Sequence, residues 1–197
     1  MTDLEKQFAF IIEIDKLKAV YRQTTVKEDK NRQENSAEHS WQITLSALLL
    51  QGYAEQPVDI NRVVKMLLIH DIIEIDAGDL FAFAESKDHE QQALKEEKAA
   101  NRLFGLLPDE QCREYKALWF EFEAAKTDDA QFAKSMDRIL PLVQNMNNQG
   151  GSWAKHKISR PQVLARNSYL EYIAPKLWKY VLSQTELAVK NGWLTKD

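Results

Sequence analysis

Two histidines and two aspartates that stand far apart in the chain have side chains that can bind a metal ion. They are His39, the neighbouring pair His70 and Asp71, and Asp137. The spacing of apolar residues around them predicts that each lies on the inward face of a helix. Burying a polar group without a partner costs about 2–7 kcal/mol, and buried carboxylates require a counter-charge. A divalent metal ion held by two imidazoles and two carboxylates would explain all four residues at once.

Three predicted helices position these residues. The first is capped by Ser36 and carries His39 in its first turn. The second is capped by Asp59, and its apolar stripe continues to Asp71. Asp137 lies within the apolar arc of the third helix. Since the three stripes must all face the core, the helices are expected to converge on the candidate metal ligands.

Composition predicts an all-α protein with one domain over residues 1–197. The chain has 197 residues, 44% of them hydrophobic, which is enough for one core. Only six glycines and five prolines occur, so the sequence favours long helices with short joints over many hairpins. We expect an extended loop over 20–35 and a final helix over about 160–191. We also expect that Leu45, Leu48 and Leu49 widen the buried face of the helix that carries His39.

Charge and cysteine content exclude several classes of partner. The net charge is −4, and the basic residues are scattered among acids, so no basic face suited to a long nucleic acid is expected. No stretch has the roughly 20 apolar residues of a membrane span or the pattern of a signal peptide. Cys112 is the only cysteine. These features predict a cytoplasmic protein without membrane contact.

Three motifs together resemble the HD-domain metal-dependent phosphohydrolases, and most closely their 5'-deoxynucleotidase branch. The first is Arg32–Ser40, which contains the first histidine. The second is His70–Asp79, which has the pattern HDxxExxxGD, and the third is Leu118–Glu123 leading to Met136–Arg138. The matching region covers about 16–147. The resemblance implies a helical HD domain with a central metal site.

The resemblance also implies that His39, His70, Asp71 and Asp137 bind one divalent metal ion. A donor set of two nitrogens and two oxygens without thiolate suits Mn²⁺, Co²⁺, Fe²⁺, Ni²⁺ or Zn²⁺, and Mg²⁺ also remains open. The sequence does not choose among these ions, and Mn²⁺ or Co²⁺ is the working hypothesis. Such an ion polarises a phosphoryl oxygen and acidifies water.

Two further acids are candidate catalytic residues. Glu74 lies one turn after His70 and is placed either to take a proton from the attacking water or to orient His70. Asp79 follows Gly78, where the helix is expected to end. The resemblance implies that Asp79 acts as a general acid or base or contacts a sugar hydroxyl, whereas the alternative is that it caps the next turn.

Two arginines are candidate ligands of the substrate phosphate. The resemblance places a phosphate-binding arginine at Arg22, and Arg32 either adds a second contact or ties its loop to an acid such as Glu34 or Glu121. The residue after Arg22 is Gln23, where the best-matched bacterial enzymes have tryptophan. Base and sugar selectivity therefore stay open.

The resemblance implies an enzyme that removes phosphate from a small nucleotide, most plausibly a deoxyribonucleoside 5'-monophosphate, and that forms a homodimer. Two alternatives remain. One is hydrolysis of a triphosphate, a cyclic dinucleotide or an alarmone by the same site. The other is a non-catalytic HD module that binds metal or nucleotide, although the presence of both Glu74 and Asp79 favours an enzyme.

Overall fold

Helices dominate the computed structural model, which describes residues 1–197 apart from the side chain of Ser86. The α-helices, in chain order, are α1 (Asp3–Ile14), α2 (Ser36–Leu50), α3 (Ile60–Ile69), α4 (Glu74–Ala77), α5 (Ser86–Phe104), α6 (Asp109–Ala124), α7 (Asp128–Asn147), α8 (Gly151–His156), α9 (Arg160–Arg166), α10 (Leu170–Ile173) and α11 (Pro175–Lys190). Short 3₁₀ segments cover Asp15–Ala19, Gln51–Tyr53 and His70–Ile73. The all-α prediction is confirmed.

A two-stranded antiparallel hairpin replaces the extended loop that the sequence predicts over 20–35. Strand β1 (Tyr21–Val26) pairs with β2 (Arg32–Asn35), with Tyr21 opposite Asn35 and a register shift before Thr25. The tight connection uses positive φ angles of 52° at Lys30 and 59° at Asn31. The polar sequence carries no alternating apolar pattern, so periodicity alone did not reveal the strands.

Helix α2 packs its inner face against α3 and α7 and leaves its outer face uncovered. Asn35, not Ser36, is the N-cap: its side chain accepts a hydrogen bond from Glu38 N at 3.0 Å, and the Glu38 carboxylate accepts one from Asn35 N at 3.2 Å. The prediction that three leucines widen the buried face is wrong. Leu45, Leu48 and Leu49 are 43%, 44% and 72% exposed, because the neighbouring helices cover only one side of α2.

The core segment from α3 to α4 contains the second motif. Asp59 caps α3 as predicted, accepting hydrogen bonds from the backbone of Asn61 and Arg62. The helix then tightens into the 3₁₀ segment and resumes as α4, which ends at Gly78, where φ is 75°. That left-handed φ suits glycine and turns the chain so that Asp79 follows directly beside α4.

The predicted single helix over 160–191 is wrong, because three helices, α9, α10 and α11, occupy this range. Pro175 has no N–H to continue a helix, and its ring excludes helical geometry in the preceding residue. Accordingly Ala174 has a non-helical backbone, with φ −152° and ψ 73°. Asn167 ends α9 through backbone hydrogen bonds to Val163 and Leu164. These breaks bring the end of α9 to the central helix α7.

One hydrophobic cluster connects residues of α1, α2, α3, α5, α6, α7, α9 and α11. Helix α7 lies at its centre and contacts α2, α3 and α6 directly. Within the described residues, no helix has the length and apolar character needed to cross a membrane. The candidate metal ligands therefore project from helices that are packed on one another rather than from mobile loops.

Candidate metal centre

The first turn of α2, the 3₁₀ segment after α3 and the middle of α7 meet at one buried point. His39, His70 and Asp137 each offer one ligand atom there, and these atoms all lie within 4.8 Å of one another. Their exposed fractions are 0%, 5% and 8%. The arrangement fits a single metal ion of unspecified identity. The structure thus brings together three of the four ligands that the family resemblance implies.

Asp137 is the acid that joins the two histidines. Its Oδ1 lies 3.0 Å from His39 Nε2 and 3.8 Å from His70 Nε2. Asp71, the fourth predicted ligand, lies beside this group: its Oδ1 is 2.9 Å from His70 Nε2, while its Oδ2 accepts a hydrogen bond from Arg22. Asp71 therefore contacts the cluster through His70 and is shared with an arginine.

Each imidazole has a protein oxygen near its second ring nitrogen, and in His70 this contact is a hydrogen bond. His70 Nδ1 lies 2.9 Å from the carbonyl oxygen of Leu67, which can only accept a hydrogen bond, so Nδ1 carries the proton and Nε2 faces the acids. The indole of Trp119 donates to the carbonyl oxygen of His70 at 3.2 Å and fixes the same residue from behind. His39 Nδ1 lies 3.4 Å from Glu34 Oε2.

Two buried ring nitrogens, His39 Nδ1 and His70 Nε2, make no well-aligned hydrogen bond with the described residues. His70 Nε2 is directed at Asp71 and Asp137, so an unsatisfied nitrogen faces carboxylate oxygens inside the core. A divalent cation accepts a lone pair from such a nitrogen and balances the acids. The donor chemistry therefore fits a metal ion on grounds independent of the sequence resemblance.

In this cluster the neighbouring charges have a larger effect than burial on the pKa values, and they favour the charged form of each group. Burial lowers the pKa of His70, but the carboxylates of Asp71 and Asp137 outweigh it and raise that pKa to about 10. Burial raises the pKa of Asp71, yet His70 and Arg22 lower it to about 2. Burial raises the pKa of Asp137, but the neighbouring His39 and His70 outweigh this effect and hold that pKa well below its usual range. A proton and a metal ion therefore compete for His70 Nε2.

Glu34 is a positioning residue for His39 that sequence reasoning missed, because it was considered only as a partner of Arg32. The side chain of Glu34 is 2% exposed and lies behind His39. Its two oxygens accept hydrogen bonds from Thr24 Oγ1 at 2.7 Å and Gln144 Nε2 at 2.6 Å. Only the pairing of β2 turns Glu34 inward, so no local sequence signal marks it.

Glu74 and Asp79, the predicted catalytic acids, both line the cavity beside the metal ligands. Ser36 donates to Glu74 Oε2 at 2.6 Å, which leaves Oε1 as the oxygen nearer Arg22. Burial, followed by the charge of Asp71, raises the pKa of Glu74 well above its ordinary value. Burial also raises the pKa of Asp79. A raised pKa makes an ionised carboxylate a stronger proton acceptor and a protonated carboxyl group able to donate near neutral pH, so both groups are suited to proton transfer.

Arg22 lies among four carboxylates. Its Nη1 donates to Asp71 Oδ2 at 2.6 Å, and oxygens of Glu74, Asp79 and Asp137 lie at 3.7, 3.8 and 3.7 Å from its guanidinium. Burial lowers the pKa of Arg22, but these acids outweigh it and raise the pKa above its ordinary value. The guanidinium thus supplies positive charge to the acid cluster.

Arg32, the other predicted phosphate ligand, is not brought to this site. Its side chain is 40% exposed and binds Asp29 and, through two nitrogens, Glu38 at 2.7 and 2.9 Å. It is absent from the described residues that line the cavity. Because Glu38 closes the capping box of α2, Arg32 stabilises the start of the helix that carries His39.

A cavity of about 360 Å³ opens beside the metal ligands. Its walls come from β1, the segment after α4, and helices α5, α7 and α9. An aromatic pair, Phe81 and Phe83, lies at one wall with ring centroids 5.5 Å apart. The volume suits a small organic ligand, and the mixture of acids, arginines and aromatic rings suits one with charged and flat parts.

Residues 14–178 match the family model described as HD domain. Among curated proteins, the chain is 27% identical over 173 residues to the 5'-deoxynucleotidase HDDC2 of Bos taurus, covering 82% of each protein. It is 25% identical to the protein of the same name from Mus musculus, covering 82% of this chain and 85% of that protein.

Solved structures agree with these sequence matches. A crystal structure from Magnetospirillum magnetotacticum, described as a "predicted metal-dependent phosphohydrolase", has 46% identity and a TM-score of 0.91, covering 98% of this chain and 99% of that one. An HD-domain phosphohydrolase from Listeria innocua has 15% identity and a TM-score of 0.66, covering 95% of each chain. The second match supports the fold alone.

Proposed function

The chain belongs to the HD domain family, and we propose that it is a metal-dependent phosphohydrolase whose substrates are deoxyribonucleoside 5'-monophosphates. The observation that carries the proposal is the convergence of His39, His70 and Asp137 within 4.8 Å beside a cavity that also contains Glu74 and Asp79. The family resemblance seen in the sequence is confirmed by the family match and by the named relatives. The deoxynucleotide is proposed from the names of those relatives and from the size of the cavity.

One divalent ion is the cofactor, and we propose Mn²⁺ or Co²⁺ as the ion that supports activity. His39, His70 and Asp137 would hold it, with Asp71 as the fourth ligand. When bound, the ion supplies Lewis-acid activation of the phosphoryl group and of water. Asp71 has one oxygen near His70 and the other on Arg22, so it can hold the arginine and the ion on opposite sides.

The two catalytic acids are proposed to divide the proton transfers of phosphomonoester hydrolysis. Water forms a new bond to phosphorus, the bond from phosphorus to the 5'-oxygen breaks, and the departing oxygen takes a proton. Ser36 holds Glu74 Oε2 at 2.6 Å, so Oε1 is the atom available to accept the proton of water. We propose Asp79 as the group that donates a proton to the 5'-oxygen, a role that its raised pKa supports. Such steps are typically worth about 10²–10⁴-fold in rate.

A panel of nucleotides tests the substrate class. The purified protein is incubated with nucleoside mono-, di- and triphosphates, a cyclic dinucleotide and an alarmone, with Mn²⁺ or Co²⁺ and with or without chelator, and released phosphate is measured. We expect the protein to release phosphate from deoxyribonucleoside 5'-monophosphates. The chelator should abolish this release, and the Asp71→Ala variant should not show it.

Other outcomes of the panel contradict the proposal in different ways. Turnover of only triphosphates, cyclic dinucleotides or alarmones would keep the chemistry and change the substrate. Metal binding without turnover of any member would identify a binding module. Asp76→Asn is the matched control, because Asp76 lies on α4 but binds Arg102 outside the cavity.

We also propose that the chain acts as one domain and forms a homodimer through the outer face of α2. Trp41 is 65% exposed there, next to the exposed Leu45, Leu48 and Leu49. Apolar side chains in one patch favour contact with a second copy, and two-fold dimers are the commonest assemblies. Light scattering is expected to give twice the mass of the chain, and Leu48→Glu is expected to give the monomer mass.

The cytoplasm is the proposed location. Cys112 is a free thiol, which suits a reducing compartment. Fractionation of the cells that produce the protein, with detection by antibody, is the measurement. Recovery from a compartment where disulfides form would contradict this part of the proposal.

A further inference from the structure

Four cationic side chains line the cavity, and three of them are committed to partners within the protein. Arg22 is surrounded by carboxylates. Lys134 Nζ contacts Glu123 Oε2 at 2.9 Å and lies 4.6 Å from the ring centre of Phe122. The third side chain with a partner is Arg138 of α7, and the fourth cationic side chain is Arg166 of α9.

Arg138 acts as a support for the end of α9. Its Nη1 donates to the backbone carbonyl oxygen of Arg166 at 3.0 Å, and its guanidinium lies 4.6 Å from the ring centre of Tyr169. Arg138 directly follows the metal ligand Asp137 in the chain. The position of Arg166 is therefore tied to the same turn of α7 that holds the metal ligand.

Asn167 fixes the end of α9 from the other side. It is 3% exposed, and its Nδ2 donates to the carbonyl oxygen of Val163 at 2.9 Å. Its backbone N–H also bonds to carbonyl oxygens in the last turn of α9. The peptide group between Arg166 and Asn167 is thus held at both its C=O and its N–H, which fixes the backbone that carries the Arg166 side chain.

The guanidinium of Arg166 has no ion pair or hydrogen bond with any residue that the structure describes in side-chain detail, although it is half-buried and lines the cavity. Burial lowers its pKa, while the charges of Asp137 and Asp79 act in the opposite direction. A half-buried arginine without an anionic partner is costly, and a phosphate group offers the planar guanidinium two oxygens at once.

We propose that Arg166 is the residue that binds the phosphate group of the substrate, with Arg138 and Asn167 as its positioning residues. This inference rests on the proposed function for the identity of the substrate, but the binding of phosphate by Arg166 does not. Arg22 is less suited to the task, since a phosphate dianion that approaches it also meets the carboxylates of Asp71, Glu74, Asp79 and Asp137. Arg166 lines the same cavity as these acids but makes no ion pair with them, so a phosphate bound to Arg166 would remain inside the cavity that contains the candidate metal ligands.

The test compares Arg166→Gln with wild type and with Arg113→Gln, an exposed arginine of α6 outside the cavity. The Mn²⁺-loaded proteins are titrated with inorganic phosphate by calorimetry, and the KM and kcat for a deoxyribonucleoside monophosphate are measured. We expect Arg166→Gln to raise the Kd for phosphate and the KM by about ten- to a hundredfold, the usual value of hydrogen bonds to a charged group. The Mn²⁺ affinity should not change, and Arg113→Gln should match wild type.

Unchanged phosphate affinity in folded Arg166→Gln would overturn the proposal, and so would failure of wild type to bind phosphate at all. If no nucleotide is hydrolysed but phosphate binding still depends on Arg166, the proposed function fails while this inference stands. Arg166→Met keeps the apolar stem for packing and replaces the first variant if that protein does not fold. Retention of wild-type phosphate affinity by the methionine variant would equally contradict the proposal.

Discussion

Two walls of the cavity each carry an arginine, and the protein surrounds them in opposite ways. On the hairpin wall, Arg22 of β1 faces four carboxylates and is one member of a buried charge network. On the α9 wall, Arg166 has its backbone held by Arg138 and no carboxylate within ion-pair distance among the residues described in side-chain detail. The difference teaches that the arginine on the hairpin wall neutralises buried acids, whereas the arginine on the α9 wall keeps its guanidinium without an anionic partner among the residues described in side-chain detail.

The largest expected effect comes from the acid that joins the two histidines. Asp137→Asn removes a charge from the metal ligands, so kcat should fall by about 10³-fold or more, because the ion contributes several kcal/mol of transition-state stabilisation. Bound metal, measured by elemental analysis after dialysis, should fall with it. Normal metal content in a folded Asp137→Asn protein would show that Asp137 is not needed to hold the ion.

Glu74→Gln separates proton transfer from metal binding. We expect kcat to fall by about 10²–10⁴-fold while the metal content stays at the wild-type level, because Glu74 is proposed to accept a proton rather than to bind the ion. Rates at saturating substrate and elemental analysis are the measurements. A parallel loss of metal would show instead that Glu74 acts by holding His70.

Arg22→Gln tests whether this arginine is a counter-charge. Its removal leaves buried acids without their cation, so metal-free protein should lose about 3 kcal/mol in the free energy of unfolding, measured with urea. Saturating Mn²⁺ should recover part of that loss. Arg32→Gln is the control, because Arg32 has carboxylate partners but is exposed, and exposed ion pairs contribute little. Equal losses in the two variants would contradict the distinction.

Glu34→Gln probes the support behind His39. The carboxylate 3.4 Å from His39 Nδ1 strengthens and orients that imidazole, so its loss should weaken metal affinity by about 10–100-fold. Competition titrations with a metal-binding dye give the affinity. Glu38→Gln is the matched control, since Glu38 lies on the same motif but binds Arg32 away from the cluster. The idea fails if both variants bind metal as wild type does.

The smallest effect is expected on α5, where Glu96 lines the cavity. Burial and the charge of Glu123 raise its pKa, so the folded state binds a proton more readily than the unfolded state. Stability from this group is therefore present below the ordinary glutamate pKa of about 4.3 and is lost as the pH rises through the folded value.

Glu96→Gln should consequently raise the Tm at pH 7, by about 2–4 °C for each kcal/mol recovered, and the gain should vanish below about pH 4. Differential scanning calorimetry at several pH values measures it. The exposed neighbour Glu97→Gln is the control and should show no pH-dependent gain. A gain that persists at low pH would point to packing rather than to charge.

The sequence predicted the candidate metal ligands because the chemistry of these side chains conflicts with their apolar surroundings. Histidine and aspartate on apolar stripes are anomalous wherever the helices pack, and three such positions suffice to predict that the stripes converge. Helix type and the cap of α3 followed in the same way from local periodicity and from Asp59. The exposed leucines of α2 show the limit of that reasoning, since periodicity gives a face but not the number of neighbours that cover it.

Residue types and spacing thus determined by themselves that this protein is helical and gathers imidazoles and carboxylates into a cluster that fits a metal ion. Tertiary structure alone decided which arginine faces which acid, because β1 and β2 turn Arg22 and Glu34 inward and leave Arg32 outside. It also decided that Arg166 reaches the cavity, since Pro175 and Asn167 break the last helical region and return α9 to α7. Arg22 lies 49 residues before Asp71, and Arg138 lies 28 residues before Arg166, so no local pattern encodes the distance between these side chains.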